Sequence, residues 1–297
     1  MIPPIPAASP CHGQVAESET VQPFQENSER DMSTQALSGA TRVHFIVGDP
    51  IAQVKSPAGV TQAFHDAGRN AVCVPAHVAP QDLAAWSQGV SLARNVDGII
   101  VTVPHKFSCF DLCATTSDRA SFLKAVNTLR RNADGSWHGD MFDGMGYVEA
   151  MRARGCEPQG QRALLVGAGG AGSAIAYSLM TSGVKELAVH DADVVRRDAL
   201  VARLAGLGLG KVSAGSSDPT GFDIAINATP IGMKEGDPYP IDASKFTPAQ
   251  FVGCVITAPA VPPMVAAARA VGCNTLIGAD MFARVRDLMV QFLLEAA

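Results

Sequence analysis

Apolar residues fall along this chain in two rhythms. Short runs rich in β-branched residues, at 43–47, 71–75, 99–103, 163–166, 186–190, 223–227 and 251–256, have the length of strands buried in a parallel sheet. Residues 125–129 also read as extended, before a polar turn at 132–135. Between the runs, helical spacing covers 57–67, 80–92, 144–154, 173–180, 194–205, 262–270 and 281–296, with shorter pieces around 108–113 and 119–124. Pro57 opens one helix and Gly68 closes it, the usual asymmetry of helix ends, and Gly155 and Gly183 close others. Val96-Asp97-Gly98 reads as a turn into the strand at 99, and 251–256 as the last clear strand. Strands alternating with helices over short connections predict an α/β protein of two domains, at 41–142 and 143–277. The helix at 144–154 carries the chain from one to the other. No internal repeat is present.

One stretch organises the second domain. The apolar run at 163–166 leads into Gly167-Ala168-Gly169-Gly170-Ala171-Gly172, which fits G-x-G-x-x-G, then a helix, a second strand and Asp191. This is the order of a Rossmann dinucleotide-binding unit. Gly167 permits the tight turn, Gly169 and Gly170 leave room for a pyrophosphate, and Gly172 lets helix and strand pack closely. The helix N-terminus offers unpaired N–H groups and partial positive charge. Asp191, 24 residues after Gly167, stands where a carboxylate accepts a ribose 2′-hydroxyl and repels a 2′-phosphate. NAD is therefore expected over NADP, although Arg196 and Arg197 could serve a 2′-phosphate. The alternative for Asp191 is a helix N-cap or a solvated turn.

Composition narrows the partners. A chain of 297 residues, 47% hydrophobic, can bury one large core or two ordinary ones. The net charge of −5 and the lack of a basic stripe argue against nucleic acid. Seven scattered cysteines with no C-x-x-C pair support neither a disulfide framework nor a zinc site, so no metal is expected and a reducing cytoplasm is. Residues 1–40, rich in Pro, Ser, Gln and Glu, read as a disordered tail dispensable for activity, without the features of a signal peptide. No membrane span is expected.

Candidate chemistry lies at strand ends. Lys106 follows an apolar strand at the carboxyl edge where open α/β sheets place their sites. Alone it reads better as a surface lysine opening a helix, Asp143 as a helix N-cap, and Ser56, Thr102 and Asn127 as satisfied turn or strand residues. Their value depends on convergence, which spacing cannot show.

In order along the chain, Gly48-x-Pro50-Ile51 with Lys55-Ser56-Pro57, Val101-Thr102-Val103-Pro104-His105-Lys106, Ala125-Val126-Asn127-Thr128-Leu129 and Asp143-Gly144-x-Gly146 resemble the shikimate/quinate dehydrogenase family. The glycine loop, Asn227-Ala228-Thr229 and Gly278-x-x-Met281 continue the resemblance, which spans nearly everything from Val43 onward. It implies an oxidoreductase with its cleft between an N-terminal substrate domain and the dinucleotide domain, and a final helix, at 278–297, returning to the substrate domain. It implies catalytic roles for Lys106 and Asp143. Ser56, Thr102, Asn127 and Thr257 fall on substrate-contacting positions, and Asn227, Thr229, Gly278 and Met281 join the cofactor site. The partner implied is a small cyclic hydroxy acid, in a monomer or homodimer. Oxidising a ring hydroxyl requires loss of a hydride to the nicotinamide and of a proton, which a lysine–aspartate pair can exchange.

The departures all remove hydrogen-bonding groups. The first residue of the family's Ser-x-Ser is Val54, and an asparagine two residues before Thr102 is Ile100. An asparagine and a threonine before the aspartate are Met141 and Phe142. A tyrosine is Thr257 and a glutamine is Val285. The expectation is a retained reaction on a less hydroxylated substrate. The competing expectation is a catalytically silent NAD(P)-binding sensor or interaction protein, against which retention of both Lys106 and Asp143 argues.

Overall fold

The computed structural model describes residues 37–295. Most of the expected tail therefore lies outside the described residues. Residues 37–40, included in that tail, instead make a turn in which Thr41 N donates to Ser38 O.

Two six-stranded sheets form the framework. The first holds β1 (Arg42–Gly48), β2 (Ala71–His77), β3 (Val96–Val101), β4 (Thr115–Thr116), β5 (Thr128–Arg131) and β6 (Trp137–Asp140), in the order β2-β1-β3-β5-β6-β4. It is mixed: β1 lies parallel to β2 and β3, whereas β5 runs antiparallel to β3 and β6. The second holds β7 (Arg162–Val166), β8 (Glu186–His190), β9 (Lys211–Ala214), β10 (Ile224–Asn227), β11 (Phe251–Cys254) and β12 (Asn274–Leu276). All its pairs are parallel, in the order β12-β11-β10-β7-β8-β9. The helices are α1 (Ser56–Asp66), α2 (Leu83–Leu92), α3 (Asp118–Leu123), α4 (Asp143–Ala153), α5 (Gly170–Thr181), α6 (Val194–Ala205), α7 (Pro263–Val271) and α8 (Gly278–Leu294).

Both sheets are covered on both faces, which explains their continuous apolar runs. In β1 and β3 successive side chains alternate between two clusters: Val47, Ile99 and Val101 on one side, Ile46 and Ile100 on the other. In the second sheet Ala163 and Leu165 face one cluster and Leu164 and Val166 the opposite one. The last helix packs on the first sheet: Val285, Met289, Phe292 and Leu293 share a cluster with Ile46, Phe64 and Phe142.

The differences from the sequence reading have local causes. Val96-Asp97-Gly98 lies inside β3 and not in a turn, because Gly98 makes room for Leu293 and His44 rather than for a bend. The strand consequently ends at Val101, leaving Thr102 beyond it. The helix expected over 80–92 begins as a 3-10 turn (Pro80–Asp82) before α2. β11 stops at Cys254, and β12 joins its edge as a further strand. β4 and β9 were not anticipated because neither carries an apolar run. Among the described residues no helix is long and apolar enough to cross a membrane, and no cluster of metal-binding side chains occurs. The described cysteines are free thiols, and burial pushes Cys73 and Cys109 up to about 12.

His44 is 4% exposed, and neither ring nitrogen finds a hydrogen-bond partner. Desolvation lowers its pKa from 6.5 to about 4, opposed by Asp97 and aided by Arg42. The unfolded chain takes up this proton below pH 6.5, whereas the folded chain does so only near pH 4. Stability from the neutral ring is thus complete above about pH 6.5 and falls away toward pH 4, by about 3 kcal/mol in all. His44→Leu should flatten the slope of unfolding free energy against pH in that window, as read by urea denaturation; an unchanged slope would show that other groups set it.

Candidate active site

The site begins with the turn after β3. His105 is 1% exposed and its Nε2 lies 2.7 Å from Val78 O, while Val126 N donates to Lys106 O. These contacts pin both flanks of Lys106. Its Nζ reaches Asp143 Oδ2 at 2.6 Å, with the two side chains 21% and 9% exposed. Asn127 Nδ2 donates to the other carboxylate oxygen at 2.7 Å, and Asn127 Oδ1 accepts from Phe142 N at 3.0 Å. Asp143 is the first residue of α4, not its cap, since Phe142 holds the cap position. The carboxylate therefore lies at the positive end of the helix.

Asp140 fixes the approach to that helix. It accepts from Met141 N, from Ser117 Oγ and from the Arg119 guanidinium, which also stacks 4.8 Å from the centre of the Phe142 ring. Two glycines then set how closely other helices come. A Cβ on Gly144 would collide with Ala174 of α5, and one on Gly146 with Val285 of α8.

Beside the pair opens a cavity of about 310 Å³. Lys106, Asp143, Ser56, Thr102, Asn127 and Thr257 all line it, though they come from five separate places in the sequence. The hydroxyls of Ser56, Thr102 and Thr257 make no hydrogen bond to a described residue. Val54, Ile100 and Val285 line the same cavity, so these departures act on its wall. Met141 and Phe142 do not; they are 1% and 3% exposed and belong to the two cores of the first sheet.

The glycine loop fits a dinucleotide. Gly167 has φ +106° beneath Ala228, and Gly172 packs on the Gly167 carbonyl. Around Gly169 and Gly170 nothing lies within 4 Å of where a Cβ would stand, leaving open space at the start of α5. Residues 169 and 170, Ser173 and Arg196 border a further cavity of about 420 Å³.

Asp191 is 7% exposed and neither caps a helix nor sits in a solvated turn; Asp193 caps α6. Its carboxylate accepts from Ala168 N (2.6 Å) and Asp193 N (2.8 Å) and pairs with Arg196 (2.7 Å). Burial alone would push this carboxyl up, but the Arg196 guanidinium and the two amides hold it below the usual range. Arg197 is paired with Asp198 instead.

The structure gives Asn227 an inward part. It is 1% exposed, its amide donating to Ile231 O and Cys254 Sγ and its oxygen accepting from Thr229 N and Oγ1. Both side chains thus shape the turn after β10. Gly278 opens α8 against the Ile256 carbonyl, and Met281 packs between cores of both sheets. Sequence reasoning passed over Lys55, Phe282 and Met289, which line the first cavity. The stripe Ala279, Phe282, Val285, Met289 has helical spacing and was readable as one face of α8, but not as a cavity wall.

Gly144→Ala forces a methyl against α5 backbone. The expected cost is about 1–3 kcal/mol, measured by chemical denaturation. A loss below a few tenths of that would mean the α4–α5 approach is loose.

Comparison with known proteins follows the same division. The family model described as "Shikimate dehydrogenase substrate binding domain" matches residues 46–129, and that of the ThiF family matches 158–205. The chain is 36% identical over 222 residues to the shikimate dehydrogenase (NADP(+)) of Rubrobacter xylanophilus, covering 73% of this chain and 78% of that one. Among solved structures it resembles the ligand-free 5-ketofructose reductase of Gluconobacter sp. strain CHM43, at 27% identity and TM-score 0.79. It resembles quinate dehydrogenase from Corynebacterium glutamicum in complex with NAD equally, again at 27% and 0.79. Each alignment covers 86% of this chain and 94% of the other.

Proposed function

That the chain belongs to the shikimate dehydrogenase family is the premise from which we propose its reaction: reversible, NAD(P)-dependent oxidation of a ring hydroxyl to a ketone on a cyclic hydroxy acid of the shikimate/quinate class. The observation that carries this reading is the Lys106–Asp143 pair, 2.6 Å apart in the wall of a cavity and joined through α4 to the helix that opens from the glycine loop. A dinucleotide whose pyrophosphate is held by residues 167–172 would supply, through its nicotinamide, the hydride acceptor or donor. The protein's own residues handle the proton. Lys106 faces the reacting oxygen and, with Asp143, takes the hydroxyl proton on oxidation or returns it on reduction. Because the two groups share one short hydrogen bond, they act as a unit. Asn127 keeps the carboxylate turned toward the lysine, and the hydroxyls of Ser56, Thr102 and Thr257 bond the substrate's polar groups. Thr229, Asn227, Gly278 and Met281 support the cofactor floor from behind.

Lys106→Ala should lower kcat by about three orders of magnitude or more while leaving dinucleotide affinity nearly unchanged, as read by steady-state kinetics and fluorescence titration. Full retention of turnover would remove Lys106 from the proton path. Binding of dinucleotide without oxidation of any alcohol in a broad panel would favour a sensor instead.

The finer reading of the cofactor is a preference for NAD, although the Rubrobacter relative is named for NADP(+). Its support is the buried Asp191 carboxylate, which would meet a 2′-phosphate with like charge and already engages Arg196 in an ion pair. Asp191→Asn frees Arg196 and should improve kcat/KM for NADP relative to NAD by about tenfold, roughly 1.4 kcal/mol. An unchanged ratio would show that Asp191 does not discriminate.

A further inference from the structure

A second concavity, of about 490 Å³, shares no lining residue with the cavity beside Lys106. Met145, Val148, Glu149 and Arg152 fall at i, i+3, i+4 and i+7, so α4 presents one stripe to it. Ser178 of α5 lies across from that stripe, and Asp118 and Arg119, at the start of α3, close one end. The charges around it do not cancel. Arg119 is paired with Asp140 and Arg152 with Glu157, whereas the carboxylates of Asp118 and Glu149 make no ion pair or hydrogen bond with any described residue. Glu149 is half-buried, where an unanswered charge costs more than at the open surface. A separate observation marks the floor. Ser178 is 8% exposed and lines the concavity beside Gly144, yet its hydroxyl engages no described residue. Buried hydroxyls without a partner are uncommon in folded proteins, and this one borders open space.

We propose that this concavity binds a short aliphatic diamine, with one ammonium at Glu149 and the Ser178 hydroxyl and the other toward Asp118. An ammonium carries three donors and no acceptor, so it matches carboxylates and a free hydroxyl oxygen. A divalent metal ion fits less well, since among the described residues no group of three or more His, Cys, Asp or Glu side chains could hold one. An anion would meet two uncompensated negative charges, because the arginines at the border are already engaged. The two carboxylates stand on different helices, and only a ligand with two cationic ends compensates both. Met145 and Val148 offer the methylene chain between those ends an apolar bed. Such a ligand would tie α3 to the α4–α5 crossing that carries Asp143. Binding needs neither dinucleotide nor turnover, so it stands or falls apart from the dehydrogenase reading.

The test uses the full chain and three probes built on one four-carbon chain: putrescine, butylamine and 1,4-butanediol. They are titrated calorimetrically at low salt into wild type, Glu149→Gln, Asp118→Asn and Ser178→Ala. Putrescine should bind wild type about tenfold more tightly than butylamine, and the diol should be weaker again by about the same factor. Glu149→Gln should weaken putrescine about tenfold, whereas Asp118→Asn, at an exposed position, should weaken it only about threefold. Ser178→Ala should weaken putrescine and butylamine alike, by about fivefold. Thermal unfolding of the unliganded chains checks that the variants fold. In the same assay, putrescine at about ten times its Kd should raise the wild-type midpoint by about 4 °C. Equal binding of putrescine and the diol, or putrescine affinity indifferent to both carboxylate substitutions, overturns the proposal. Displacement of putrescine by an equal concentration of magnesium chloride would reduce the site to a diffuse negative patch and overturn it as well.

Discussion

The closeness of α4 to two other helices is the constraint on which the site depends. Gly144 lets α5 approach until its Ala174 carbonyl occupies the space of a side chain, and Gly146 does the same for α8 at Val285. Asp143 immediately precedes this contact surface. The carboxylate is therefore built onto the helix that touches both the dinucleotide-loop helix and the helix lining the far wall of the cavity. A looser crossing would separate the Lys106–Asp143 pair beside the first sheet from the glycine loop of the second. Close packing of this kind has little compliance, so small volume changes at the contact move the groups that ride on it.

Around Asp143 the polar groups satisfy one another before any ligand arrives. Lys106 and Asn127 take one carboxylate oxygen each, and Asn127 is itself held by the Phe142 amide. Behind them, Asp140 is neutralised by Arg119 and receives the Met141 amide. Buried polar groups satisfied in this manner resist reorientation, because each alternative rotamer strands a donor or acceptor. The dinucleotide loop follows the same logic, since the Asp191 carboxylate bonds the Ala168 amide and braces the loop. One side chain thus ties the loop to Arg196.

The departures from the family's pattern sort by where they land. At Val54, Ile100, Thr257 and Val285 they change the surface a ligand meets, whereas at Met141 and Phe142 they thicken the cores on either side of the first sheet. The Lys106–Asp143 pair stands beside a wall in which these positions are mostly apolar. A polar group placed against such a wall is left unpaired, at a cost in free energy.

Much of this protein was legible in its residues. β8 and α6 fall where the pattern placed them, because an apolar run ending at an acid, or a capped amphipathic stretch, is a local property. The order strand, glycines, helix, strand, Asp191 marked the dinucleotide unit, and the motifs around Lys106, Asn127 and Asp143 marked the family. Only tertiary structure could show that Gly98 sits inside a strand because Leu293 needs its space, or that Asn227 turns inward. It alone brought Lys55, Phe282 and Met289 to one cavity. The physical reason is range. Periodicity and turn chemistry report on neighbours along the chain, whereas membership of a cavity is settled by packing between segments that the sequence holds far apart.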